Sequence, residues 1–218
     1  MPIVIDAGIH EFREWIFRFQ PATAVPSRLL LLLHGWTGDE NSMWVFTRKL
    51  PAQVAILAPR GLYRAPEGGY TWREIQPGKW GLAGIEEFRP SAEALVRFID
   101  EWSTSSGVFS DQFDLIGFSQ GAALAYSLAL LHPERIRAMA ALSGFMPPGA
   151  RELLLRRPLA GKPIFVAHGM EDKMVPVEQA RKAVALLDGS GARVTYCESD
   201  GGHKLSLNCY AGLAELFG

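Results

Sequence analysis

Cysteine is nearly absent: Cys197 and Cys209 are the only two in 218 residues. That count excludes a disulfide framework, and no cysteine cluster is present to hold zinc. The expectation is two reduced, partly buried thiols in a cytoplasmic protein, with one disulfide as the alternative if the two side chains meet. Charge of one sign is also lacking. A formal net charge of −1 leaves no strongly basic surface to attract nucleic acid or an anionic membrane. The strongest apolar run, residues 29–33, is far too short to cross a bilayer, so stable membrane insertion is not expected. Residues 1–10 carry no basic cluster followed by an apolar core, so no secretory signal is expected. No repeat, low-complexity tract or linker divides the chain, which predicts a single domain over residues 1–218.

The composition that remains, 48% hydrophobic and 21% charged, is enough to bury a full sheet between helix layers. Trp15, Phe17 and Phe19 alternate with Ile16 and Arg18, which predicts a half-buried edge strand. Residues 28–33 form a continuous apolar run ending at His34-Gly35, the pattern of a strand buried on both faces. Similar runs predict strands at 54–58, 113–117, 137–142, 163–167 and 193–198. Ala92, Leu95, Val96, Ile99 and Trp102 recur at helical spacing. Helices are also predicted at 122–131, 177–187 and 205–217. Alternating strands and helices imply right-handed crossovers, a mostly parallel sheet and strand carboxyl ends gathered on one edge. Residues 64–84, rich in glycine, proline and aromatics, read as a long functional loop or a plain surface excursion.

The chemistry points to one motif. Gly117-Phe118-Ser119-Gln120-Gly121 is a G-x-S-x-G between a predicted strand and an Ala/Leu-rich helix. Small residues on both flanks let strand and helix backbones pass closely, so the turn exposes Ser119 as a candidate nucleophile at a helix N-terminus. The N–H of Gln120 is then free to stabilise an oxyanion. A hydroxyl needs a base that is itself oriented by a third group. His203, in Asp200-Gly-Gly-His203, is the histidine that follows a suitable acid late in the chain. Asp172, after the strand at 163–167, is the expected acid, with Glu171 and Asp200 as its rivals. The second oxyanion donor is expected from Trp36, in the glycine-containing turn after the strand at 28–33. His34 and His168 each precede a glycine and read as hydrogen-bonded structural residues, and His132 reads as a helix end. Trp36, Tyr70, Trp72 and Trp80 supply aromatics for an apolar substrate groove, with core or surface packing as the other reading of each.

The segments LLLHGWTGDE, APRG, GFSQGAALA, HGMEDKMVP and GGHKLS occur in the order and approximate spacing of the phospholipase/carboxylesterase family, which the chain resembles over nearly its whole length. The resemblance implies an α/β-hydrolase fold with no separate cap domain. It places a triad on Ser119, Asp172 and His203 and oxyanion donors at Trp36 and Gln120; chemistry of that kind needs no metal or organic cofactor, and none is expected. It also implies that Gly69-Tyr70-Thr71-Trp72 borders the acyl site. Two departures separate the chain from the thioesterase branch: Trp36 stands where leucine is common, and Trp72-Arg73-Glu74 replaces a Trp-Phe-Asp-like segment. The expected substrate is a small-molecule carboxylic ester of short to medium acyl length. Alternatives are a thioester or lysophospholipid substrate, or a non-catalytic hydrolase-fold binding protein. A homodimer through an apolar patch near the aromatic loop is a further expectation.

Overall fold

The computed structural model describes residues 7–24, 28–47, 50–75, 82–108 and 110–217. In chain order the elements are β1 (Gly8–Phe12), β2 (Trp15–Gln20), β3 (Arg28–Leu33), β4 (Val54–Pro59), β5 (Tyr63–Arg64), β6 (Tyr70–Thr71) and α1 (Ile85–Ser106). They continue with β7 (Phe113–Phe118), α2 (Gln120–Leu131), β8 (Ile136–Leu142), α3 (Ala150–Leu154), β9 (Pro163–Gly169), α4 (Val177–Gly189), β10 (Arg193–Ser199) and α5 (Tyr210–Phe217). Eight strands make one sheet in the order β1-β2-β4-β3-β7-β8-β9-β10. The pairs β1–β2 and β2–β4 are antiparallel, and the remaining pairs are parallel. This is the α/β-hydrolase architecture, and the described residues form no separate cap.

Each predicted strand is present, with ends that move by no more than two residues. The exception is the role assigned to the strand at Trp15: β2 is not the edge. β1 pairs along its outer side through a tight turn in which Arg13 takes a φ of 54°. β1 escapes a sequence reading because its residues are all half-buried or exposed, which leaves it no apolar face. The inward aromatics of β2 instead pack on α1, with Trp15 stacked at 4.8 Å on Phe98 and Phe19 edge-on to Trp102 at 5.0 Å.

β3 shows why a continuous apolar run suits this position. Leu29, Leu31 and Leu33 enter the core on the face covered by α1, α2 and α4, whereas Leu30 and Leu32 enter the opposite core beneath α5 and the 3-10 turn Trp44–Thr47. All five leucines are buried because both sheet faces are covered. α2 carries no polar face; it lies between the sheet and its neighbours α1 and α3, and Gln120 through Leu130 are buried.

The cysteine expectation is overturned. Cys197 of β10 and Cys209, in the 3-10 turn Leu207–Cys209, form a disulfide with Cα atoms 5.7 Å apart. The return of α5 beneath the sheet brings the two side chains together, so the condition for pairing is met.

The chain leaves β3 for β4 on one side, and β7 lies on the other. That reversal opens a crevice beyond the carboxyl ends of β3 and β7, where open α/β sheets place their ligands. His34-Gly35 and Phe118-Ser119 face each other across it.

Candidate active site

The turn at Ser119 is built from close backbone contacts. Ser119 sits between β7 and α2 at φ 54° and ψ −116°, a region that costs a side-chain-bearing residue roughly 1–3 kcal/mol. Its N–H donates to the Leu142 carbonyl at 2.9 Å, and its own carbonyl accepts from Ala122 at 3.0 Å. A Cβ at Gly117 would strike the Gly121 carbonyl, and one at Gly121 would strike the Leu33 carbonyl oxygen. Both flanks of the serine are therefore glycine because backbones occupy the space a methyl would need. Gln120 opens α2, so its N–H has no partner within the helix.

Gly35 completes the approach from the other side. A Cβ there would lie 3.3 Å from the Ser119 Cβ and 3.3 Å from the Phe118 ring. Residues 35–38 form a turn closed by Gly38 N–H to the Gly35 carbonyl at 3.1 Å, with Thr37 at φ 63°. Trp36 is the first of the two central residues, and its N–H takes no part in that closure. His34 holds the turn from behind. Nε2 accepts the Gly61 N–H at 2.9 Å, so Nδ1 carries the proton and donates to the Gly35 carbonyl at 2.7 Å. Burial lowers the His34 pKa to about 4, which keeps this tautomer neutral. The structural role expected of His34 is thus what the fold shows.

Asp172 and His203 meet directly. His203 Nδ1 lies 2.7 Å from Asp172 Oδ2, and Oδ1 accepts the N–H groups of Met174 and Val175, both at 2.9 Å. Burial pushes the Asp172 carboxyl up, but the Val175 N–H, the His203 imidazole and the Met174 N–H together outweigh it. The net result is a pKa below the usual value for an aspartate. The rivals are elsewhere: Glu171 and Asp200 are exposed, and neither contacts His203 through a hydrogen bond among those described. The imidazole of His203 packs on Phe118 with ring centroids 4.9 Å apart, beside the serine.

The aromatic groove differs from expectation. Trp72 is fully buried: its ring lies 4.7 Å from His34, and Nε1–H donates to the His34 carbonyl at 2.8 Å. It is a core residue under the 35–38 turn, not a groove wall. Tyr70 is held between the guanidinium groups of Arg60 and Arg64, 4.6 and 4.5 Å from its ring centre, and its N–H donates to the Gly38 carbonyl. It therefore braces the same turn. Trp80 lies outside the described residues. The first part of the aromatic loop is a β5–β6 hairpin, and Gln120 fastens it to the elbow: its Oε1 accepts from Thr71 Oγ1 at 3.0 Å and from Trp72 N–H at 3.1 Å. Arg73 is drawn inward by Glu87 of α1 at 2.9 Å.

The groove that does open beside Ser119 has a volume of about 530 Å³ and runs between residues 35–46 and residues 204–210. Among the described residues Trp36 is the one expected aromatic on its wall, with Nε1 hydrogen-bonded to Glu67 at 3.1 Å. Phe46, Phe118, Leu205 and Tyr210 supply much of the rest, and Lys204 the cation. Tyr210 ties the two walls together by donating to the Val45 carbonyl at 2.5 Å. Beside Trp36, a phenylalanine directly before Ser119 was a sequence signal that could have pointed here.

A model of the family described as phospholipase/carboxylesterase matches residues 17–209. The chain belongs to the phospholipase/carboxylesterase family. Within it, acyl-protein thioesterase 1 of Saccharomyces cerevisiae is 38% identical over 183 residues, covering 76% of this chain and 78% of that protein. A rice family member named "Probable inactive carboxylesterase" is 25% identical over 203 residues, covering 85% of this chain and 82% of its own. Among solved structures, a carboxylesterase from Mesorhizobium loti superposes with a TM-score of 0.77 at 24% identity, covering 96% of this chain and 97% of that one. That likeness concerns the fold.

Proposed function

We propose that this family member hydrolyses carboxylic esters of short to medium acyl length through an acyl-enzyme on Ser119. The observation that carries the reading is the Asp172–His203 hydrogen bond, held against Phe118 on the same sheet edge as the strained Ser119 turn. His203 Nε2 takes the proton from Ser119 Oγ as the oxygen attacks the acyl carbon. Asp172 fixes the Nδ1–H tautomer and stabilises the imidazolium. The N–H groups of Trp36 and Gln120 receive the oxyanion, and losing one such donor costs about 3 kcal/mol of barrier. The tetrahedral species collapses, His203 returns the proton to the departing alkoxide, and the alcohol leaves. Water then attacks the acyl-enzyme with His203 again as base, releasing the carboxylic acid and restoring Ser119. The sequence of steps uses side chains, backbone and water.

The groove supports an apolar acyl group, because Trp36, Met43, Val45, Phe46, Phe118 and Leu205 dominate its wall over Thr37, Ser42 and Lys204. A thioester substrate is the second reading, favoured by the yeast acyl-protein thioesterase at 38% identity. The bulk of Trp36 beside the reacting carbonyl weighs toward the smaller ester. The described residues include no helix long and apolar enough to cross a membrane. A bonded Cys197–Cys209 pair removes the cysteine argument for a cytoplasmic setting, since such pairs persist where thiols are oxidised.

The test is hydrolysis of p-nitrophenyl esters from acetyl to palmitoyl, beside thioesters of the same acyl groups, with Ser119→Ala in parallel. A short- to medium-chain ester optimum that vanishes in the variant is the expected result. Inactivity of the folded wild-type protein on esters and thioesters alike would overturn it.

A further inference from the structure

His168 is a buried imidazole that the reaction above does not use. It is the next-to-last residue of β9, its side chain is 0% exposed, and it stands directly behind Asp172. Nε2 is 2.8 Å from the Val175 carbonyl. A carbonyl oxygen only accepts, so Nε2 carries the hydrogen and Nδ1 presents a bare lone pair, buried and without a partner. The same Nε2 is 3.3 Å from Asp172 Oδ2, the oxygen that faces His203. One carboxylate oxygen is therefore shared by two imidazoles, at 2.7 Å in front and 3.3 Å behind, while Oδ1 is filled by two backbone N–H groups.

We infer that His168 is a positioning residue for the acid: its Nε2–H spans the 172–175 turn and draws on Oδ2, fixing the carboxylate and tempering its pull on His203. The inference rests on Asp172 and His203 being the acid–base pair. The surroundings leave this donor to act alone. Glu198, opposite on β10, is neutralised by Arg181 of α4 at 2.7 Å. On the other side, β8 ends in Leu142, with Ser143 following, and neither carries charge. Glu171 and Lys173, in the acid's own loop, and Asp200 and Lys204, flanking the His203 loop, are exposed to solvent.

The consequence has a direction. Without the rear donor, Oδ2 holds more negative charge for His203, the imidazolium is stabilised, and the base stays protonated to higher pH. In His168→Leu the acid limb of kcat/KM for p-nitrophenyl butyrate is expected to move up by about half a pH unit. kcat is expected to fall about tenfold with KM unchanged. His168→Gln, which restores an N–H near the Nε2 position, should return the limb to its wild-type place. A limb that does not move in a folded His168→Leu, or that moves equally in His168→Gln, would overturn the inference while leaving the esterase reading intact. A second measurement needs no variant: nitrogen-15 spectra of the wild-type imidazoles should show His168 as the Nε2–H tautomer. A proton on Nδ1 with Nε2 bare would refute the role whether or not any ester is cleaved.

Discussion

Lowering the pH from 7 to 5 should loosen the turn at residues 35–38 through His34, and the size of the effect follows from its burial. The imidazole has 6.5 as its ordinary pKa and about 4 in the fold, chiefly because burial penalises the cation. A depressed histidine pKa means that the unfolded chain binds the proton more tightly. The stabilising contribution is therefore complete above about 6.5 and is lost as pH falls toward about 4. With those two values, the unfolded state gains about 2 kcal/mol over the native state between pH 7 and pH 5. Urea unfolding of wild type and His34→Asn at both pH values isolates the effect, because the other histidines titrate alike in the two proteins. The wild type should lose about 2 kcal/mol more than the variant over that interval. Equal losses would show that His34 is not buried neutral behind Gly35, and the account of the turn would fail with it.

Opening the Cys197–Cys209 bond, by reduction or by Cys209→Ser, frees a loop of separation 12. It should cost about 3 kcal/mol of stability in urea titrations. A midpoint insensitive to reductant would refute the pairing. Asp172→Asn should lower kcat by about three to four orders of magnitude with the fold retained; a loss below tenfold in ester assays would point to another acid. Tyr210→Ala removes the ring that ties the groove walls together at Val45, so the acyl-length optimum should move to longer chains. An unchanged optimum in the p-nitrophenyl series would place the acyl group elsewhere.

The parts of the site that could be read from the sequence are those made by steric necessity. Gly117 and Gly121 announce the elbow because no other residue fits between β3, β7 and α2. Strands with continuous apolar runs, such as β3, announce burial on both faces. The misread parts depend on which way an aromatic turns. Tyr70 and Trp72 lie in a segment without period, and a side chain there enters core or groove according to partners remote in sequence, Arg60 and His34. The groove that formed draws Phe46 from a 3-10 turn and Tyr210 from the start of α5, neither of which carries an apolar rhythm that marks a pocket. The disulfide was equally illegible, since the distance between Cys197 and Cys209 is set by how α5 returns under the sheet. β1 lacked an apolar face and left no trace.

The division of materials in this site bears on how such an enzyme changes over generations. The Ser119 turn is made of peptide groups packed against Gly117 and Gly121, where an added side chain would strike backbone. Most of the groove wall comes from two segments, 35–46 and 204–210, on which Trp36, Leu205 and Tyr210 are only partly buried. A lineage built this way can vary its groove while the elbow stands still, and a protein engineer inherits the same freedom: alter Trp36, Leu205 or Tyr210, and leave the elbow alone.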